Sequence, residues 1–358
     1  MSRWPDRRIL DLFGIEVPIL QAPMAGAAGS AMAIAVAEAG GLGALPCAML
    51  TGEQVRQEVA TFRQACPGRP LNLNFFCHTP PAPDAAAGQR WKQALEPYYR
   101  ELGADFDAPT PVSNRAPFDE QSCQLVEQVR PEVVSFHFGL PSAAYLQRVK
   151  ATGAKVLSSA TTVEEAVWLQ GHGCDAIIAM GAEAGGHRGM FLSEDITTQI
   201  GTFALVPQVV DAVGLPVIAA GGIADHRGLV AALALGACAV QIGTAYLFSP
   251  EAKVSPAHRQ ALDTAPASDT AMTNLFTGRP ARGINNRIMR ELGPMSALAP
   301  RFPLAGGALM PLRAITDPQG DSAFSNLWAG QALRLGRHEA AAVLTREIAA
   351  CALAVVGV

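Results

Sequence analysis

The residues best suited to chemistry lie in one stretch, Met180-Gly-Ala-Glu-Ala-Gly-Gly-His187-Arg-Gly189. An apolar run, 176–180, leads into a loop of small residues that leaves one imidazole at its edge. With no Cβ atoms in the way, such a loop lets backbone approach a ligand closely. A histidine, with an unperturbed pKa of about 6.5, can give or take a proton near neutrality. The same pattern also suits a glycine turn followed by a solvated His-Arg pair, and the stretch alone favours neither reading. His137, near the end of the run 133–138, is the second candidate catalytic residue. It shares a strand face with Val133 and Ser135. That fits a buried histidine satisfied by a neighbour, but its place at a strand end favours a substrate contact.

Two further turns could cradle an anion. Ala219-Ala-Gly221-Gly222-Ile223 and Gln241-Ile242-Gly243-Thr244 offer backbone N–H groups without side-chain cover, and one hydroxyl. Four arginines, Arg279, Arg282, Arg287 and Arg290, could meet an anionic substrate or be paired with neighbouring carboxylates. Other chemistries find no support. Gly40-Gly41-Leu42-Gly43 lies between a helix and a strand, the reverse of the dinucleotide-binding order. No Walker A, HExxH or Gly-x-Ser-x-Gly motif occurs. The seven cysteines are scattered without a CxxC pair, which argues for free thiols and against a zinc site or disulfide frame. The histidines lack metal-ligand spacing, so no metal is expected. His78 and His172 read as structural or exposed, and His226, His258 and His338 as surface.

The elements that must position these residues follow a strict rhythm. Apolar runs that read as strands start near 18, 42, 71, 133, 155, 176, 217 and 239, and helical patterns lie between them. Alternation of this kind means parallel strands with helical crossovers. Eight near-continuous apolar strands fit a closed (β/α)8 TIM barrel better than an open sheet. The rhythm breaks at 77–132, read as an excursion of the barrel or a decorated third helix, with one helix over 85–102 and a second before Pro131. It dissolves again from 250 to 337. The expected organisation is a barrel over 1–250, completed by a returning C-terminal helix within 331–358, and a smaller, mostly helical lid over 251–330 inserted after strand eight. Ligands in such barrels bind at the C-terminal strand ends, and phosphates at the loops after strands seven and eight. The two glycine turns fall at those two loops.

Composition sets outer limits. The 358 residues are 49% hydrophobic and 16% charged, with a formal net charge of -4. Such a chain can bury a large core, and nothing in its charge suggests a nucleic-acid groove or an anionic membrane. The tract 17–37 is broken by Gln21, Pro23 and Gly26 and is no membrane span. The N-terminus shows no secretory h-region, so a cytoplasmic location is expected.

Taken together, Gln21-Ala-Pro-Met24, Asn72-Leu-Asn74-Phe-Phe-Cys-His78, Ser135-Phe-His-Phe-Gly139, Glu183-Ala-Gly-Gly-His-Arg-Gly189, Ala219-Ala-Gly-Gly-Ile223 and Gln241-Ile-Gly-Thr244 resemble the nitronate monooxygenases, most of all their class I group. The resemblance implies an FMN-dependent barrel that oxidises alkyl nitronates of the propionate 3-nitronate type with O2. The products are a carbonyl compound and nitrite, and the reaction runs through a flavin semiquinone. By position, Pro23, Met24, Ala25, Asn74 and Met180 would face the flavin. Gly185, Gly186, Gly221, Gly222, Gln241, Ile242, Gly243 and Thr244 would hold its ribityl chain and phosphate. His187 matches the family's active-site histidine, and His137 would be a second nitro-group contact. The implied partners are a small nitronate and O2, in a monomer or homodimer. Two departures accompany the match. Met180 stands where class I relatives often carry a glutamine, and 300–310 lacks the tyrosines and lysine expected there. The divergent lid keeps a second reading open, an FMN-dependent NAD(P)H reductase of quinones or enoyl thioesters.

Overall fold

A strand with no polar face can rest only where both faces are covered, and the apolar runs of this sequence are covered on both. In the computed structural model, which describes residues 4–82, 84–112 and 115–357, they form β1 (Ile19–Gln21), β2 (Gly43–Pro46), β3 (Leu71–Phe76), β4 (Val133–His137), β5 (Lys155–Ala160) and β6 (Ala176–Met180). A two-residue strand β7 (Gly186–His187) stands outside the barrel, and β8 (Val217–Ala220) and β9 (Ala239–Ile242) complete it. Met1, Pro83 and Val358, which the sequence reading included in its barrel and Pro-rich segments, lie outside the described residues.

The eight barrel strands pair in parallel in the order β1-β9-β8-β6-β5-β4-β3-β2. A parallel bridge between Leu20 and Leu42 joins the two ends. There Gln21 N–H donates to Leu42 O at 2.9 Å and Leu42 N–H to Ile19 O at 3.0 Å. The protein is a (β/α)8 TIM barrel. Its crossover helices are α2 (Ser30–Glu38), α3 (Gly52–Ala65), α5 (Glu120–Val129), α6 (Ala143–Ala151), α7 (Val163–Gly171), α8 (Thr202–Ala212) and α9 (His226–Ala234). Several start on side-chain caps, among them a full capping box at Thr51 and Gln54. The C-terminal α13 (Ala341–Val356) packs against α9 and α2 and fills the eighth position of the ring. No helix among the described residues is long and apolar enough to cross a membrane.

After β9 come α10 (Pro256–Thr264), β10 (Thr270–Thr273), β11 (Ala281–Ile284), α11 (Arg287–Leu292) and α12 (Met310–Thr316). This mostly helical lid also carries an antiparallel sheet, β10-β11-β7, whose third strand is lent by the loop after β6. One assignment changes. The helix over 85–102, α4 (Ala85–Leu102), was expected as a barrel excursion, but it packs into the lid. Its stripe Trp91, Leu95, Tyr98 and Tyr99 shares a core with Phe276, Ile288, Leu312 and Phe324. Trp91 Nε1 donates to Ala305 O at 2.9 Å and Tyr99 Oη to Ala308 O at 2.6 Å. Neighbouring apolar residues on one helix face say that something covers them, not what.

Candidate active site

The loop after β6 is held from inside. Arg188 is fully buried, so the solvated His-Arg pair is not what forms. Its guanidinium donates to Met180 O at 2.6 Å, Gly181 O at 2.7 Å and Gln199 Oε1 at 2.7 Å. Glu183 accepts from the N–H and hydroxyl of Thr202, each at 2.8 Å, and ties the loop to the start of α8. Arg282 Nε donates to Ala182 O at 2.9 Å, and β7 pairs with β11, His187 opposite Ala281. A Cβ on Gly185 would lie 2.5 Å from Gly330 N and 2.6 Å from Ala329 C. Glycine is required there so that loop and lid backbones can touch.

The loop delivers His187 into an aromatic enclosure. Its ring centroid lies 5.3 Å from Phe302, 5.5 Å from Trp328, 6.1 Å from Phe138 and 6.3 Å from Phe76. Its Nε2 is 2.9 Å from Thr277 Oγ1 of the lid. Burial pushes the imidazole well below its ordinary pKa, and the charges of Arg115 and Arg279 act the same way. His187 is therefore neutral at pH 7. Nδ1 has no partner in the described chain and is not sealed from solvent.

His137 differs. Its Nε2 faces His187 O at 3.1 Å and its Nδ1 faces Ser159 Oγ at 3.2 Å. Burial pushes its pKa down to about 4, against a smaller upward pull from the His187 carbonyl. A carbonyl only accepts, so Nε2 carries the proton and Nδ1 accepts from Ser159. His137 lines the cavity, yet the chain engages both its nitrogens. As folded, its Nε2 contact holds the His187 carbonyl in place beside the cavity.

Both histidines border one cavity of about 450 Å³ at the C-terminal strand ends. Pro23, Met24, Ala25, Asn74, Met180, Gly185, Gly186, Gly221, Gly222, Gln241, Gly243 and Thr244 line it. Ile242 does not: it is fully buried in β9, pointing away from its cavity-lining neighbours Gln241 and Gly243. Alternation along a strand makes one residue of such a run face the other way. Gly221 and Gly222 have φ of +113° and +71°, which turns successive backbone groups in a way L side chains resist. Among the described residues, the N–H groups of Gly222 and Thr244 have no acceptor in the chain. Gln241 Oε1 is buried without a partner. Asn74 Nδ2 is fixed by Ser135 Oγ at 2.9 Å.

Other positions differ from expectation. His258, expected at the surface, is buried and lines the cavity, its Nε2 unpartnered. Burial pushes it down to about 4, as it does His78, which sits 4.7 Å from the Phe302 ring. The lid arginines divide. Arg287 pairs with Glu101 at 2.6 Å and Arg290 with Asp269 at 3.1 Å, whereas Arg279 stacks 4.0 Å from the Phe138 centroid and donates to Met190 O. Arg115 and Arg313 also line the cavity, and no sequence motif marked them.

Comparison with known proteins points the same way. The profile of the family described as nitronate monooxygenase matches residues 6–350. A nitronate monooxygenase of Paraburkholderia phytofirmans is 40% identical over 96% of this chain and 94% of its own length. One of Pseudomonas aeruginosa is 40% identical over 95% and 97%. Among solved structures, nitroalkane oxidase from Streptomyces ansochromogenes superposes with a TM-score of 0.86 at 37% identity, covering 98% of both chains. FabK from Thermotoga maritima superposes with a TM-score of 0.72 at 28% identity, covering 99% and 98%.

Proposed function

This chain belongs to the nitronate monooxygenase family of oxidoreductases, and from that premise we propose that it uses FMN to oxidise alkyl nitronates of the propionate 3-nitronate type with O2. The products are a carbonyl compound and nitrite. The observation that carries the reading is a neutral histidine presented by a lid-stitched loop to an aromatic-walled cavity whose other wall is glycine turns.

The residues fit FMN. Unpartnered N–H groups at Gly222 and Thr244 suit a phosphate, which backbone amides and loop dipoles favour. The orphaned Gln241 Oε1 suits a ribityl hydroxyl or a ring N–H. Pro23, Met24, Ala25 and Met180 give apolar cover for the ring, with Asn74 as a fixed amide, and Gly185, Gly186, Gly221 and Gly243 leave room for it. When bound, FMN supplies the electron-accepting chemistry and the reaction with O2.

The protein's part is orientation and charge. His187 holds the nitronate oxygens from Nδ1. Thr277 can donate to Nε2 or accept from it, so one hydroxyl rotation chooses whether Nδ1 carries a proton. An Nδ1–H stabilises an anionic nitronate, and the enclosing rings exclude the water that would compete. A bare Nδ1 could take a proton from a neutral nitroalkane. Its lowered proton affinity makes it a weak base, so preformed nitronates are the better substrates.

The deciding experiment measures O2 uptake and nitrite release by the purified protein with propionate 3-nitronate, beside NADH oxidation with a quinone and with an enoyl thioester. Stoichiometric O2 loss and nitrite, without NADH turnover, is the expected outcome. Rapid NADH consumption with no nitrite would instead assign a reductase. A protein that carries no flavin and cannot be reconstituted with FMN would remove both.

A further inference from the structure

A nitronate group has two oxygens, and His187, with Nε2 at Thr277, has only Nδ1 left to meet them. At the same end of the cavity, His137 has its Nε2 on His187 O and its Nδ1 on Ser159 Oγ. Phe76, Phe138 and Phe302 bring only ring carbons. Trp328 brings an N–H. We propose that the Trp328 indole Nε1–H donates to one nitronate oxygen while His187 Nδ1 holds the other. The proposal rests on the proposed function for the identity of that group.

Three observations carry it. First, Trp328 borders the cavity beside His187, the two ring centroids 5.5 Å apart and the rings inclined at 56°. Neighbours at that spacing can serve two atoms of one small group. Secondly, its N–H is unspent. A buried tryptophan usually gives its indole proton to an acceptor, as Trp91 does to Ala305 O at 2.9 Å. Trp328 Nε1 has no acceptor among the described residues and is not sealed from solvent. Thirdly, the ring is held. The Trp328 backbone bridges Gly283 of β11, and its ring meets Phe276 edge-on at 5.6 Å and 87°. A Cβ on Gly283 would lie 2.8 Å from Leu327 O and 3.1 Å from Trp328 Cε3, so glycine is needed for this approach. Ala281, two residues earlier on the same strand, stands opposite His187. One strand thus sets both rings. An indole only donates, whereas an imidazole can do either. A fixed donor favours an anionic oxygen over that of a neutral nitro group, and it orients the nitronate whichever tautomer His187 adopts.

The test is Trp328→Phe, which keeps an aromatic wall and removes the N–H. It is assayed per bound flavin on methyl-, ethyl- and propyl-1-nitronate. Values of kcat/KM should fall about 10- to 100-fold, the worth of one hydrogen bond to a charged group. The factor should be the same on all three, since the N–H meets the group they share. Calorimetric titration of the flavin-loaded protein with nitrate, a planar anion that is not turned over, gives a second readout. Its dissociation constant should rise about tenfold or more in Trp328→Phe, whereas a smaller folded fraction alone would lower the stoichiometry and leave that constant unchanged. An unchanged dissociation constant for nitrate, a kcat/KM within about threefold of wild type, or a loss that grows with chain length overturns the donor role. Each of these leaves the proposed function intact where the wild-type protein oxidises nitronates. Nitrate binding that depends on Trp328, in a protein that oxidises no nitronate, would keep the anion contact and remove the reaction.

Discussion

The two walls of the cavity are built from different material. On the barrel side the wall includes bare backbone, the turns at Gly221-Gly222 and Gly243-Thr244, with small or apolar residues from Ala22 to Ala25 and the strand side chains Asn74, Met180 and Gln241 beside them. On the lid side it is side chains: Trp328 and Arg313 line it, and Thr277 and Phe302 stand behind His187. A backbone wall grips whatever presents a phosphate and a flat ring, and few single substitutions alter it without strain. A side-chain wall can be rewritten one residue at a time. Under the proposed function, the contrast implies a division of labour, with cofactor retention on the barrel and choice of substrate on the lid.

The largest expected effects come from one variant on each wall. His187→Asn should leave flavin content unchanged and lower turnover of a neutral nitroalkane by roughly 10²–10⁴, with a smaller loss on the preformed nitronate. Gly222→Val places a β-branched residue at φ +71° and should instead strip FMN from the purified protein, read as the flavin-to-protein absorbance ratio. If His187→Asn loses its flavin while Gly222→Val keeps it, the division of labour is wrong.

How much of this was legible follows the same line. The barrel could be read because most strands are near-continuous apolar runs and several helices start on capping side chains, so period and punctuation agree. The barrel-side cavity residues followed from the rule that ligands meet strand ends, with Ile242 lost to alternation. The lid was opaque for a physical reason. Its core joins α4 to residues some two hundred positions later, as Trp91 to Ala305 and Tyr99 to Ala308 show. No local pattern encodes such a pairing. Arg115 sits in a proline-rich connection and Arg313 on a seven-residue helix, where a lone arginine reads as solvated. His258 misled because the first turn of α10 faces inward, and Arg188 because a charged residue after glycines looks like a surface loop.

A smaller effect tests the histidine layer that joins the walls. Burial holds His78, His137 and His258 at about 4, while in the unfolded chain they titrate near 6.5. The unfolded state therefore takes up protons first as pH falls. Stability is complete above about pH 6.5 and is lost as pH drops toward 4, on the order of 3 kcal/mol for His137 alone. The melting temperature should fall between pH 7 and pH 4.5, less steeply in His137→Asn. A flat profile across that window would mean these imidazoles are not held neutral.

Gly185 probes the seam itself. Alanine there drives a Cβ against Gly330 N and Ala329 C, both backbone atoms that cannot swing aside. The expected cost is about 1–3 kcal/mol, with a raised KM for nitronate and normal flavin content. Loss of flavin in this variant would show that the seam supports the cofactor wall as well.

The smallest effect isolates one hydroxyl. Thr277→Val keeps the shape of the lid against His187 but removes the group 2.9 Å from Nε2. With no hydroxyl to donate there, Nε2 keeps its own proton more often, and Nδ1 is left bare. A bare Nδ1 repels an anionic nitronate but still accepts a proton from a nitroalkane. The variant should lose roughly tenfold in kcat/KM on nitronates, the worth of about one hydrogen bond, and less on neutral nitroalkanes. That is the reverse of the selectivity expected from His187→Asn. If both substrates fall together, Thr277 only props the ring; if they separate, the lid sets the tautomer with which the active-site histidine meets its substrate.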